Sequence, residues 1–153
     1  RQMCIRDSLY AARRDHWLKL IKPNLEQGIW VISDRFADSS IVYQGYAGDI
    51  ELDTVLNIHN VVLGEVWPDL TIVLDLPPEL GLERSNKRDT ANNSKDTRFE
   101  KRELQFHKLL REGFQYLQSK SPDRICVVDG TKTIVEVELE VFSIIKKRFV
   151  GLM

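Results

Sequence analysis

The sequence predicts an α/β fold: a small parallel sheet with flanking helices. Three observations carry that prediction. Segments with helical apolar spacing alternate with short β-prone runs along the chain. The β-prone runs, at 29–32, 70–74 and 125–128, are apolar throughout except at Thr71, and 29–32 lacks the in-and-out alternation of a half-solvated strand. That pattern is expected where both faces are covered. Each run then ends near an acid, Asp34, Asp75 or Asp129, and open parallel sheets carry ligands outside the carboxyl ends of their strands.

The elements follow in order. Leu9, Ala12, Trp17, Leu20, Ile21 and Leu25 give a helical spacing over 9–25, with Gly28 as its stop. The run 29–32 is the first predicted strand. Over 51–63, Leu52, Val55, Leu56, His59, Val62 and Leu63 form a helical stripe. The second strand follows Pro68-Asp69. Pro77-Pro78-Glu79 opens a helix toward Asn86, since proline suits the first helical positions. Residues 85–97, SNKRDTANNSKDT, have no apolar period and are expected as a mobile polar excursion. Phe106, Leu109, Leu110, Phe114 and Leu117 mark the buried side of a helix over 99–117. After the third strand and Asp129-Gly130, a last helix over 133–149 carries Ile134, Val137, Val141, Ile144 and Ile145.

Composition narrows the function classes. The 153 residues, 42% of them hydrophobic, suit one globular domain. A formal charge of -1 gives no global basic field for nucleic acid, so affinity for anions must be local. Cys4 and Cys126 belong to no CxxC or Cys/His array, and His16, His59 and His107 lack metal-ligand spacing and are expected on surfaces or helix faces. These features are expected of a reduced, cytoplasmic setting with no metal site. No apolar stretch approaches the ~20 residues of a membrane-spanning helix. The chain begins RQMCIRDS, with little hydrophobic period; residues 1–8 are expected to be a non-native or disordered start.

Candidate chemistry gathers behind the strand ends. At Asp34-Arg35 the choice is between a surface ion pair and an anion grip, for which arginine's planar fork is suited. Asp75 and Asp129 serve either as ligand groups or in capping and turn chemistry. Ser39, Ser40, Tyr43 and Gln44 fit a short helical turn, with Ser40 and Gln44 on one face. Such a group could read a base edge and a sugar face, or be a polar loop anchored by one tyrosine. Arg84, Lys87, Arg88, Lys95, Arg98, Lys101 and Arg102 flank the polar excursion. Either this is a solvated face, or its cations close on a loose phosphoryl-transfer transition state.

Together these pieces resemble the bacterial thymidylate kinase family. The resemblance runs through YAAR (10–13), IKPNLEQGIWVISDRF (21–36), DSSIVYQGYAG (38–48), PDLTIVLDLPPELGLER (68–84), TRFE (97–100) and VVDG (127–130). It implies a P-loop, nucleoside-monophosphate-kinase-like α/β fold and transfer of the γ-phosphoryl group of ATP to dTMP. It further implies Mg2+ with ATP and a homodimer in the parent enzyme, without nucleic acid or membrane.

By position, Arg35 resembles the arginine that grips the dTMP phosphate, with Asp34 holding it and helping to organise the metal-phosphate region. Arg13 resembles the arginine that meets the thymine carbonyl, and Ser40 and Gln44 the polar residues at the base edge. Tyr43 resembles the residue under the sugar that disfavours a 2'-hydroxyl, and Glu100 the acid near the 3'-hydroxyl. Arg84, Lys87 and Arg88 resemble the basic lid, which spans 85–98, and Gly130, Thr131 and Lys132 the adenine-side loop. Leu9 stands where the family often has a base-stacking Phe, and Thr97 where the lid motif has an acid, with Asp96 alongside.

The sequence nowhere contains GxxxxGK followed by Ser or Thr, the phosphate-cradling loop. In the family that loop lies upstream of every match. The expectation is therefore a single partial domain missing the N-terminal strand-loop-helix unit, with little or no catalysis on its own. Two other readings stand beside it: a non-catalytic nucleotide-binding or oligomerisation module, and a related nucleotide kinase with another acceptor.

Overall fold

A computed structural model describes the backbone of residues 2–88 and 97–150, and the side chains of 8–85 and 103–150. The chain divides into two compact units, 1–68 and 69–153.

In the first unit, helix α1 (Gln2–His16) runs without a break through a π-helical stretch (Trp17–Ile21) into α2 (Lys22–Glu26). Residues 2–8, expected as a non-native or disordered start, thus carry the first turns of α1. The wide turn lies just before Pro23, which has no N–H to continue the α-helical ladder. The helix stops as expected at Gly28, whose φ of 75° suits a glycine. Gly28 and Ile29 donate their backbone N–H groups to Leu25 and Asn24 carbonyls, at 2.9 Å each. This Schellman closure satisfies carbonyls that the helix leaves open.

The strand expected over 29–32 is not formed. The backbone there is irregular, and Ile32 is 95% exposed. The reason is pairing: the described sheet consists of two later strands, and an apolar run with no ladder partner gains no inter-strand hydrogen bonds.

Helix α3 (Ala37–Ser40) passes into a second π-helical stretch (Ile41–Tyr46), closed by the Ala47 N–H on the Val42 carbonyl at 2.8 Å. Gly48 allows the chain to fold back there, because a Cβ would lie 2.5 Å from the Gln44 carbonyl oxygen. Helix α4 (Leu52–Leu63) then packs on α1, and the Tyr10 hydroxyl donates to the Val55 carbonyl at 3.4 Å. Tyr10, Ile21, Ala37, Ile41, Val42, Val55 and Leu63 form this unit's apolar core. His59, on the helical stripe as expected, is fully buried, with its ring 4.0 Å from Trp67.

In the second unit, β1 (Thr71–Asp75) and β2 (Ile125–Asp129) pair in parallel, in a register that places Asp75 beside Asp129. Helix α5 (Pro78–Arg88) follows β1, and α6 (Thr97–Lys120) packs against both α5 and β2. The polar excursion expected from Ser85 is therefore shorter, since 85–88 continue α5, whose backbone ladder does not require an apolar face. Residues 89–96 lie outside the described ones. Leu110, Leu117, Ile125 and Val128 are buried as expected, whereas Phe106 is exposed.

Thr133 caps α7 (Ile134–Arg148) in a capping box. It takes the Glu136 N–H on its hydroxyl, while the Glu136 carboxylate accepts from the Thr133 N–H at 2.9 Å. Ile134, expected inside, is exposed at the first turn. No helix among the described residues is long and apolar enough to cross a membrane.

Candidate functional site

The predicted site residues whose side chains are described fall into one cluster in each unit. In the first, Leu9, Arg13, Ser33, Arg35 and Phe36 line a cleft of about 340 Å³. Helix α1 delivers Leu9 and Arg13 from one face, four residues apart. The Arg13 guanidinium donates to the Ser40 hydroxyl at 3.0 Å and lies over the Tyr10 and Phe36 rings, 5.0 and 5.6 Å from their centres. Burial pushes the Arg13 pKa down from its ordinary value, while Tyr10 and Asp38 pull it back up. Arginine keeps its charge at neutral pH regardless.

Arg35 sits at φ 70°, in the left-handed region that a residue with a Cβ adopts only at a cost. The Ser33 hydroxyl bridges to its carbonyl at 3.0 Å. From that backbone its guanidinium donates to the Tyr43 hydroxyl at 2.9 Å and stacks 4.7 Å from that ring's centre. Asp34 is exposed, and no ion pair joins it to Arg35. The surface ion pair considered at Asp34-Arg35 thus gives way to a tyrosine contact. Turning the Arg35 backbone left-handed is what carries its side chain to the π-helical stretch.

That stretch also holds Gln44, whose Oε1 is buried without a hydrogen-bond partner. An orphan acceptor of this kind costs roughly 1–3 kcal/mol unless a ligand satisfies it. Two further residues belong here that sequence reasoning did not select. Phe36 supplies an aromatic wall beside Leu9, and Asp38, only 3% exposed, places a carboxylate near Arg13. Phe36 stood in the DRF triplet as a signal; nothing local distinguishes Asp38 from the exposed acids.

The second cluster surrounds the carboxyl ends of β1 and β2. Asp75 does not cap a helix here: Arg111 of α6 grips both its oxygens at 2.7 Å. Asp129 does turn chemistry, accepting from the Thr131 N–H at 2.8 Å and hydroxyl at 2.6 Å, which holds its carboxyl below the usual range. Arg84 donates to the Gly130 carbonyl at 2.8 Å, and Lys132 pairs with Glu140 at 2.8 Å, which raises the lysine's pKa. The side chains of Lys87, Arg88 and Glu100 lie outside the described residues. Among those described, no three His, Cys, Asp or Glu side chains come together as a metal site.

The sequence profile of the thymidylate kinase family matches residues 4–141. The chain belongs to this family. Similar relatives include thymidylate kinases of Nitrobacter winogradskyi, 42% identical over 139 residues, and Nitratidesulfovibrio vulgaris, 40% identical over 141. These matches cover 90% of this chain and 59% and 66% of the relatives, so the chain spans about three-fifths of the length of thymidylate kinases it resembles. A crystal structure of thymidylate kinase from Ehrlichia chaffeensis superposes with a TM-score of 0.64 at 31% identity, covering 89% of this chain and 59% of that one. The α/β, nucleoside-monophosphate-kinase-like fold class expected from the sequence is thereby borne out.

Proposed function

We propose that this chain carries the dTMP-binding and lid groups of an ATP:dTMP phosphotransferase, which forms dTDP. The observation that carries the reading is the first cluster. It combines an arginine held by Ser40, a second arginine on Tyr43, an apolar and aromatic wall, and an orphan amide oxygen on Gln44. Thymine offers a carbonyl for Arg13 and an imino N–H for Gln44. Its phosphate offers the anion that Arg35 takes in exchange for the Tyr43 hydroxyl. The Tyr43 ring then remains beside the sugar.

In the reaction, an oxygen of the dTMP phosphate attacks the γ-phosphorus of ATP, and the bond to the bridging β-γ oxygen breaks, releasing ADP. Residues 2–68 contribute binding and orientation of the acceptor, and Arg84 and Arg88 contribute positive charge for the transferring group. Lys87 and the turn at Gly130, Thr131 and Lys132 contribute to holding the donor, and Glu100 the sugar's 3'-hydroxyl. Mg2+ takes most of its ligands from phosphate and water, so one exposed carboxylate at Asp34 fits a supporting role, supplying no more than orientation. When bound, the ion neutralises phosphate charge. The same reading makes the assembly a homodimer and the setting cytoplasmic, with no nucleic-acid partner.

The test is calorimetric titration of the chain with dTMP, dUMP, dCMP and thymidine, alongside a coupled ADP-release assay. Preferential dTMP binding that weakens about tenfold or more in Arg13→Ala supports the acceptor reading. Equal affinity for all four ligands overturns it. dTMP binding without ADP release is the outcome of the non-catalytic alternative, and dTMP-dependent ADP release excludes that alternative.

A further inference from the structure

We propose that Arg111, in the middle of α6, is a positioning residue for the nucleotide donor: by holding Asp75 it fixes the turn at Gly130 and, through that turn, Arg84. The inference rests on the donor-side role proposed for this turn.

The geometry is a relay across one end of the sheet. Arg111 takes both Asp75 oxygens at 2.7 Å, a paired arrangement that fixes orientation as well as distance. The backbone carbonyl of the same Asp75 accepts the Gly130 N–H at 2.7 Å. The Gly130 carbonyl in turn accepts from Arg84 at 2.8 Å. The approach is tight: a Cβ at Gly130 would lie 3.2 Å from the Asp75 carbonyl oxygen, which would have to give by a few tenths of an ångström. Three elements therefore converge on one turn: α6 through Arg111, β1 through Asp75 and α5 through Arg84.

Charge explains why an arginine is needed. Asp75 and Asp129 are partners in the parallel register, so two carboxylates share one end of a two-stranded sheet. Neighbouring strands lie about 4.8 Å apart, so two carboxylates left unpaired on one face there would repel. Arg111 neutralises Asp75, while Asp129 accepts from Thr131. Lys108, one turn earlier on α6, pairs with Glu79 at 3.3 Å and holds the start of α5 from the same side. Without Arg111, the Asp75 carboxylate would compete for the turn's N–H groups and push against Asp129. The turn and the Arg84 side chain bound to it would then shift together. A donor nucleotide would lose its site, while the dTMP groups of residues 2–68 would be untouched.

The experiment uses the whole chain with Arg111→Met, Arg111→Lys and the double variant Arg111→Met/Asp75→Asn. ATP and dTMP affinities are measured by calorimetry, and hydrogen exchange is followed at the Gly130 and Thr131 amides. Arg111→Met is expected to weaken ATP binding about tenfold, to leave dTMP binding within about twofold, and to speed exchange at Gly130. Lysine, a point charge without the paired fork, restores part of the loss. The double variant restores most of it, because the repelling carboxylate is gone; a residue acting only as a staple for α6 would not show that rescue. Unchanged ATP affinity and Gly130 exchange in Arg111→Met, an equal loss for both ligands, or no recovery in the double variant would each overturn the proposal. In a wild-type chain that binds no ATP, the exchange at Gly130 and Thr131 alone decides whether Arg111 positions the turn.

Discussion

Replacing Arg35 with glycine and, separately, with alanine divides what its backbone costs from what its side chain does. At φ 70° the residue sits where an L side chain loses roughly 1–2 kcal/mol. Alanine keeps that cost and removes the hydrogen bond to the Tyr43 hydroxyl. Glycine removes both, but gives back about 0.5–1 kcal/mol through the greater freedom of its unfolded chain. The glycine variant should therefore be more stable than the alanine variant by roughly 0.5–1 kcal/mol. In urea unfolding that is a midpoint difference of about half a molar at unchanged slope. Both variants lack the guanidinium proposed to grip phosphate, so both should lose dTMP affinity by roughly tenfold to a hundredfold, the worth of a charge-assisted contact. An alanine variant as stable as the glycine variant would refute the strain argument. dTMP affinity retained in either variant would refute the phosphate grip, whatever the stabilities.

A Cβ at position 48 would meet the carbonyl oxygens of Gln44 and Tyr43 at 2.5 and 2.8 Å, both rigid backbone atoms. Gly48→Ala is therefore expected to destabilise the chain by roughly 2 kcal/mol and to weaken dTMP binding as the π-helical stretch shifts; unchanged urea midpoints would contradict this. At the start of α7, the Thr133 hydroxyl and N–H hold the Glu136 carboxyl below its ordinary range. Because the folded-state pKa is the lower one, this contribution to stability is complete above the unfolded pKa and is lost as pH falls through the folded value. Thr133→Ala should move the Glu136 titration upward toward that of a free glutamate and flatten this acid limb; an unmoved carboxyl signal in an NMR titration would count against the capping box.

Much of the fold was legible because its signals are local. The spacing from Leu52 to Leu63 makes one apolar face whatever surrounds it, and the runs ending at Asp75 and Asp129 have strand composition and punctuated ends. The run at 29–32 reads the same way and failed, because a strand is completed by a neighbour and its sequence says nothing about whether that neighbour is present. The π-helical stretches were illegible too, since their sequences carry no period distinct from an ordinary helix.

The site divides along the same line. The sequence by itself determined the family, the cations and hydroxyls available, and the punctuation at Gly28, Pro78 and Thr133, since all of these depend on residue type and near neighbours. Tertiary structure alone decided which groups meet. It sent Arg35 to Tyr43 rather than to Asp34, and Arg111 to an aspartate 36 residues away; it also buried Asp38. Those outcomes depend on where packing brings separate elements together and on which charges lose their water, and neither is written in any local stretch of chain.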